Sequence, residues 1–484
     1  MSQPDIAAAL GEVLPPDCVL AREEERRPYE CDGLTAFREL PAVVALPRTE
    51  EELRRILLTC SALKVPLVAR GSGTGLSGGA TPHPRGVLLS CARMNRVLEV
   101  DPLNRIARLE PGVPNLKISE AAAPHGLYYA PDPSSQVACS IGGNVAENSG
   151  GVHCLKYGLT VHNVLGVRGY TVDGERIELG GGALDAPGLD LLALAIGSEG
   201  LLMIVTEVTV KLIPRPPCAQ LVVASFSTVH GAADAVAAII AAGIIPAALE
   251  MMDRKATAAV EPFVHAGYDL EAAAILLAES DGTPEEVGDQ VREIESVLRA
   301  CGASALRVAA SESERLRLWS GRKNAFPAAG RLSPDYYCMD GTIPRKHVGR
   351  VLDAIGEMET RYGLPCLNVF HAGDGNLHPV IMFDSNAPGA WERADRFGAE
   401  ILELCIEVGG TITGEHGVGV EKIGGMCVQF SNAERAAFSA VKESFDPHGL
   451  LNPGKLIPTL TRCAEYGKMH VRGGALPHAE LPRF

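Results

Sequence analysis

Five glycines fall within nine residues, Gly71 to Gly79, of the stretch Val65-Pro-Leu-Val-Ala-Arg-Gly-Ser-Gly-Thr-Gly-Leu-Ser-Gly-Gly-Ala80. No other feature limits this 484-residue chain as much. The apolar run 65–69 reads as a short buried strand that delivers the chain into the glycines. Glycine admits positive φ and lets backbone N–H groups approach an anion such as a phosphate. Gly73-Thr-Gly75-Leu-Ser-Gly78 matches G-x-G-x-x-G, but the dinucleotide reading also needs a helix to open there. Thr81-Pro-His-Pro-Arg-Gly86 follows and cannot start one. No Gly-Lys-Ser/Thr occurs, so a P-loop is excluded. A glycine-rich turn without a ligand and a phosphate cradle without a helix remain, and the second is preferred.

The flanking segments place this loop in a mixed α+β module. Residues 1–37 are a charged lead-in, and 42–46 reads as a strand. Thr49-Glu-Glu-Glu52 reads as a capping box, with Leu53, Ile56, Leu57 and Cys60 on one face of a helix. Short strands are expected at 86–90 and 105–109. A second stretch rich in glycine and asparagine spans 129–151, and a third, Gly197-Ser-Glu-Gly200, precedes a strand at 204–212. Three such loops in one module fit a single extended ligand. Three unrelated turns are the alternative.

Pro214-Arg-Pro-Pro217 reads as a boundary. Beyond it, strands at 221–226, 247–252, 272–278 and 304–309 alternate with helices at 232–242 and 284–302. The second helix opens on the capping box Thr283-Pro-Glu-Glu286 and buries Val287, Val291, Ile294 and Leu298. The order βαββαβ is that of a ferredoxin-like sheet. The residues after Pro458 read as a surface tail.

Composition excludes several classes. The net charge of −15, without a basic cluster, argues against nucleic acid as a partner. Thirteen cysteines stand singly with no C-x-x-C, which argues against a disulfide framework, a structural zinc site or an iron–sulfur module. The expectation is a cytoplasmic protein with reduced thiols and no direct membrane span.

Towards the carboxyl end, His371-Ala-Gly-Asp-Gly-Asn-Leu-His378 surrounds Asp374-Gly375, a strong two-residue hairpin signal. Counting outward from that turn predicts that His371 opposes His378 on one face, about 5 Å apart at Cβ. Two such imidazoles can share a divalent metal. A pair of satisfied surface histidines is the other reading. Glu415-His416, set among glycines in 409–419, adds a carboxylate suited to a third ligand and an imidazole suited to general-base work.

Taken together, ARGSGTGLSGGA, YYAPDPSSQVACSIGGNVAENSGGVHCLKYG, PDYYCMDGTIP, FHAGDGNLHP, GEHGVG and FDPHGLLNPGK resemble the FAD-linked oxidases of the vanillyl-alcohol oxidase/PCMH flavoprotein superfamily. The likeness covers nearly the whole chain. It implies an α+β fold: a PCMH-type, two-subdomain FAD-binding domain over 38–217, a ferredoxin-like substrate or cap domain with a C-terminal helical segment over 218–458, and a tail over 459–484. It also implies that Arg70, Gly71, Ser72, Gly73, Thr74, Gly75, Leu76 and Ser77 cradle the FAD pyrophosphate. Pro131, Asp132, Ser135, Gly142, Gly143 and Asn144 would hold the rest of the flavin, with Gly197, Glu199, Gly200 and Ile204 near the adenine-side half. Asn452 and Lys455 would close over the isoalloxazine. Relatives with covalent flavin carry a histidine in the glycine loop; residues 70–80 contain neither His nor Cys, so non-covalent FAD is expected.

By resemblance to metal-dependent 2-hydroxy-acid dehydrogenases of this superfamily, His371, His378 and Glu415 would bind a divalent metal of unknown identity. His416 would take the substrate hydroxyl proton, and Arg322 would pair with the substrate carboxylate. The implied activity is FAD-dependent oxidation of a small (R)-2-hydroxy acid, glycolate to glyoxylate, with stand-alone D-lactate dehydrogenation as the alternative. Relatives acting on dicarboxylates have polar or basic residues where Cys338 and Val380 stand, which favours a small monocarboxylate. Where many relatives read G-S-E-G-T/M-L-G, this chain has Leu201-Leu-Met203, and a methionine in place of that glycine either crowds the cofactor or shifts the strand. With no cluster motif of its own, the chain is expected to pass electrons to a second flavin-type subunit and an iron–sulfur subunit, toward a quinone. Through them it would lie peripherally at the inner face of the cytoplasmic membrane. A flavin-binding assembly subunit without catalysis is the rival reading, and the intact histidine–glutamate set argues against it.

Overall fold

The structure is a computed structural model that describes residues 2–183 and 188–459. The expected surface tail lies, from residue 460 on, outside the described residues. Among the described residues two compact units emerge: 2–150, 159–183, 188–215 and 415–459 form one, and 151–158 and 216–414 the other.

Among the described residues, the first unit holds two larger sheets and a two-stranded one formed by Leu127–Tyr128 and Ile213–Pro214. In the first sheet, Val43–Ala45, Val87–Ser90 and Leu67–Arg70 run parallel, with Val19–Leu20 antiparallel at the edge. The helix Glu50–Leu63 makes the crossover that parallel strands need, and Leu53, Ile56, Leu57 and Cys60 are buried as the sequence predicts. Its cap is half the expected box. Thr49 Oγ1 accepts from the Glu52 N–H, but the Glu52 carboxylate accepts from the N–H of Arg48 instead of Thr49. The last described segment returns to this sheet, where Leu67 donates to the Leu450 carbonyl and Asn452 donates to the Leu67 carbonyl. The second sheet is antiparallel, in the order Val97–Asp101, Ile106–Leu109, Ile204–Lys211, Val164–Tyr170, Arg176–Gly180.

The second unit is built on a seven-stranded sheet. Its first four strands lie in the order Ala305–Val308, Cys218–Phe226, Ala274–Gly282, Ala248–Asp253, the ferredoxin-like arrangement. The sheet then continues through Cys366–Phe370, Pro379–Phe383 and Asp335–Cys338. The full Thr283 capping box is present, and Pro284–Ala300 buries its four predicted residues. A helix that the pattern does not announce, Arg254–Val264, follows the strand Ala248–Asp253. Its buried face is Ala256, Thr257 and Val260, too small and too polar to make a periodic signal, and Pro262 lies within it. Asp253 starts it by accepting from the Ala256 N–H with one oxygen, while the other holds Asn368.

Among the described residues, no helix is long and apolar enough to cross a membrane.

Candidate active site

The glycine loop opens no helix, as its sequence requires. Its glycines are used for close approach. A Cβ at Gly71 would strike Ser140 Oγ, and one at Gly73 (φ +70°) would strike the Arg70 guanidinium. Arg70 itself is largely buried beneath its loop and donates to the Cys31 carbonyl at 2.6 Å. A Cβ at Gly79 would meet Glu147 and Ser77 Oγ.

The second stretch is not wholly a loop. Ile141–Glu147 is a helix, so Gly142 and Gly143 lie in its first turn, with Gly142 packed on Pro111. Asn144 is buried in that helix. Upstream, the Pro131 carbonyl accepts from Asn115 Nδ2, and the Ser135 carbonyl closes a turn with the N–H groups of Ala138 and Cys139. Gly197, Glu199 and Gly200 all have positive φ, and Gly197 and Glu199 donate to the carbonyls of Val145 and Ala146. Glu199 accepts from the Val418 and Gly419 N–H groups, both at 2.7 Å. Met203 is buried in the core of the antiparallel sheet, where its methyl packs against Gly169.

Asn452 and Lys455 brace the glycine loop from its far side. Asn452 Nδ2 donates to the carbonyls of Gly79 and Glu199, and Lys455 Nζ to those of Gly79 and Thr81.

The region so enclosed is polar and incomplete. Ser77 Oγ, Thr81 Oγ1, Ser140 Oγ, Asn144 Nδ2, Glu147 Oε2 and Asn452 Oδ1 are buried without a hydrogen-bond partner. Leaving such atoms unsatisfied costs about 1–3 kcal/mol each. Six together mark a cradle shaped for a large polar ligand, which is the chemistry of FAD. Burial pushes the Glu147 carboxyl well above the usual range, with Glu199 and Asp32 adding to the effect. Burial also raises Glu199, opposed by its two N–H donors, and pushes Asp32 up to about 6. Ser140, Thr81 and Glu147 were not singled out from sequence; Ser140 and Glu147 lie inside the second motif and Thr81 directly follows the first.

In the second unit, the hairpin register differs from the prediction. His371 bridges Asn376, not His378, in line with Asn368 opposite Pro379. The chain turns through four residues, 372–375, because Asp374 Oδ1 accepts from the Asn376 N–H and Gly375 (φ +83°) donates to the His371 carbonyl. The predicted two-residue turn is therefore absent. The register differs by two residues, which preserves side-chain alternation, so the histidines still share a face as diagonal neighbours. Their rings lie 5.2 Å apart and nearly perpendicular, and ligand nitrogens of the two come within 4.8 Å. Both side chains are buried.

Behind them stands a residue not singled out from sequence. Glu250, on Ala248–Asp253, is 0% exposed. One oxygen lies 2.7 Å from His371 Nδ1, and the other accepts from Arg322 Nε at 2.7 Å. Arg322 sits near the end of the helix Glu312–Lys323, where the preceding Gly321 leaves room for the Tyr268 ring. Its Nη2 is buried without a partner. A lone carboxylate inside the apolar run Ala-Ala-Leu-Glu-Met-Met was the available signal for Glu250. Cys338 and Val380 are directly opposed in neighbouring strands and buried in one core cluster.

Asp340 takes the Gly414 N–H and the Thr413 hydroxyl, fixing the end of this unit's chain one peptide bond before Glu415. Glu415 and His416 belong to the first unit. There Gly150 lets the Glu415 carboxylate lie close, and Gly417 packs on Glu147 and Glu199.

Comparison with known proteins agrees with this construction. The family model described as "FAD binding domain" matches residues 41–180, and "FAD linked oxidases, C-terminal domain" matches residues 215–456. The chain is 58% identical over 479 residues to the glycolate oxidase subunit GlcD of Escherichia coli (strain K12), covering 99% of this chain and 96% of that protein. It is 39% identical to the Bacillus subtilis (strain 168) protein of the same name, covering 93% and 96%. It is 32% identical to a D-lactate dehydrogenase of Archaeoglobus fulgidus, covering 86% and 92%. Among solved structures, p-cresol methylhydroxylase with substrate bound superimposes with a TM-score of 0.78 at 17% identity, covering 93% of this chain and 96% of that one. That likeness bears on the fold alone. With two matched domains and such similarity along its whole length, the chain belongs to the FAD-linked oxidase family and is an FAD-dependent oxidoreductase.

Proposed function

We propose that this protein oxidises glycolate to glyoxylate as the catalytic subunit of a multi-subunit glycolate oxidase. The observation that carries the reading is the buried His371–His378 pair backed by Glu250 and Arg322, in a chain so similar throughout to glycolate oxidase subunits. Residues 70–77, Pro131, Asp132, Ser135, Gly142, Gly143, Asn144, Gly197, Glu199, Gly200, Ile204, Asn452 and Lys455 would hold FAD without a covalent bond, and FAD would supply the hydride acceptor for the α-hydrogen. His371, His378 and Glu415 would hold a divalent ion, which would supply Lewis acidity toward the hydroxyl and carboxylate of the substrate.

Arg322 receives the substrate carboxylate. The buried, unpartnered Nη2 supports this role, since Nε is already committed to Glu250. His416 removes the hydroxyl proton, so that the carbonyl forms as the α-hydrogen departs. The opposed Cys338 and Val380 offer no cation or hydrogen-bond fork to a second carboxylate, which favours a small monocarboxylate. Electrons then leave through a second flavin-type subunit and an iron–sulfur subunit, which also hold the chain at the inner membrane face.

D-lactate differs from glycolate by one methyl, worth only about 1–3 kcal/mol of discrimination in an apolar pocket, and it is the second reading. Anaerobic titration of the FAD-loaded chain with each acid, with and without a chelator, tests both. The expected outcome is flavin bleaching by glycolate that the chelator blocks. A yellow protein that neither acid reduces would overturn the proposal.

A further inference from the structure

We propose that Glu250 is a positioning residue that sets, through one carboxylate, both the ligating nitrogen of His371 and the aim of the Arg322 guanidinium. The inference rests on the metal and substrate roles proposed above for those two side chains.

The geometry leaves Glu250 little freedom. It projects from a central strand whose neighbours on either side are Ala274–Gly282 and Cys366–Phe370. Its side chain and that of Arg322 are almost wholly buried, at 1% and 2% exposed. Arg322 donates from Nε to one Glu250 oxygen at 2.7 Å, and a carboxylate engaged in such a charge-assisted pair serves its other neighbour as an acceptor too. The hydrogen between Glu250 Oε1 and His371 Nδ1 must therefore sit on the nitrogen. An imidazole with its proton on Nδ1 presents the Nε2 lone pair as ligand, and a carboxylate behind it raises its basicity.

The same anion fixes Arg322 by its Nε edge. A guanidinium held there cannot rotate about its long axis, so Nη2 keeps one direction. Oxygen atoms of one carboxyl group are rigidly spaced, so the metal ligand and the substrate-binding fork stay in register with each other. Neither His371 nor Arg322 is tied this way by its own backbone, since one lies just past a strand end and the other near a helix end.

Three measurements on the full-length, FAD-loaded chain test this. The first needs no variant: long-range proton–nitrogen correlation on protein labelled with 15N-histidine and stripped of metal, with His371 assigned by comparison with His371→Asn. The expected state is the Nδ1–H tautomer, and an Nε2–H tautomer would overturn the proposal. The second is equilibrium dialysis against Zn2+ with Glu250→Gln, which keeps the reach but not the charge. Affinity is expected to fall roughly 10–100-fold, with the flavin spectrum unchanged. Wild-type affinity in a folded Glu250→Gln protein would overturn it. The third is steady-state kinetics at saturating Zn2+, where Glu250→Gln should raise KM for glycolate more than it lowers kcat. A change confined to kcat would remove the Arg322 half of the role. Should the wild type bind no Zn2+, the metal site itself fails, and the tautomer experiment still decides whether Glu250 positions His371.

Discussion

The cradle in the first unit and the histidine site in the second are both buried and polar, yet they are finished to different degrees. The cradle draws on the glycine loop, the helix Ile141–Glu147, residues 197–200, residues 417–419 and Asn452, and six of its polar atoms lack a partner. The histidine site is assembled on adjacent strands of one sheet, and its central carboxylate is fully engaged, with Arg322 on one oxygen and His371 on the other. A site for a large cofactor is left to be completed by the cofactor's own oxygens and nitrogens. A site for small reactants has its positioning groups paired beforehand and leaves only such atoms as Arg322 Nη2 for the substrate, because chemistry needs the reacting groups already in place. The difference predicts that cofactor binding stabilises the first unit, and that damage to the second spares the flavin.

The largest effect expected is on turnover. His371→Ala should lower glycolate-driven flavin reduction by ~10³-fold or more, equivalent to about 4 kcal/mol of lost Lewis-acid stabilisation, while visible flavin absorbance stays at wild-type level. Loss of the flavin together with activity would break the separation between the two sites. His416→Ala should cost about 10²–10⁴-fold, the usual worth of a general base, again with FAD retained.

Next in size is an effect on the cradle alone. Gly417 has φ +80° and rests against Glu147 and Glu199. An alanine there costs about 1–2 kcal/mol in backbone conformation and its Cβ would displace the Glu147 and Glu199 carboxylates, so the FAD Kd should rise by about tenfold or more. Fluorescence titration of the apoprotein with FAD would measure it, and an unchanged Kd would show that the 417–419 segment is not part of the cradle. Saturating FAD should itself stabilise the apoprotein by about 2.7 kcal/mol at a hundredfold excess over Kd, read as a rise in Tm.

The smallest effect is a pH dependence. The Asp32 carboxyl is raised from 3.8 to about 6, chiefly by burial. The folded apoprotein therefore binds this proton more tightly than the unfolded chain, and its contribution to stability falls as pH rises from about 4 to about 6. Asp32→Asn should flatten that part of the Tm–pH curve. An unchanged slope would place the pH dependence elsewhere.

Local sequence made much of this readable. The face of Glu50–Leu63, the Thr283 box and the helix-free glycine loop followed from side-chain periodicity, capping chemistry and backbone sterics, all of which act within a few residues. The hairpin was readable in kind but not in register. Asp-Gly is a strong turn signal, but the Asp374 side chain captured the Asn376 N–H and enlarged the turn. The histidines stayed on one face only because the shift was two residues. The helix Arg254–Val264 escaped notice because its buried face is alanine, threonine and valine, with a proline inside.

Sequence by itself determined that the chain has a glycine cradle, a ferredoxin-like sheet and a histidine pair, because each is encoded by neighbours along the chain. Only the tertiary structure decided that Glu250 stands between His371 and Arg322. Glu250 is 72 positions from Arg322 and 121 from His371. Their meeting depends on the strand order of one sheet and on the helix that carries Arg322, and no local pattern holds that information.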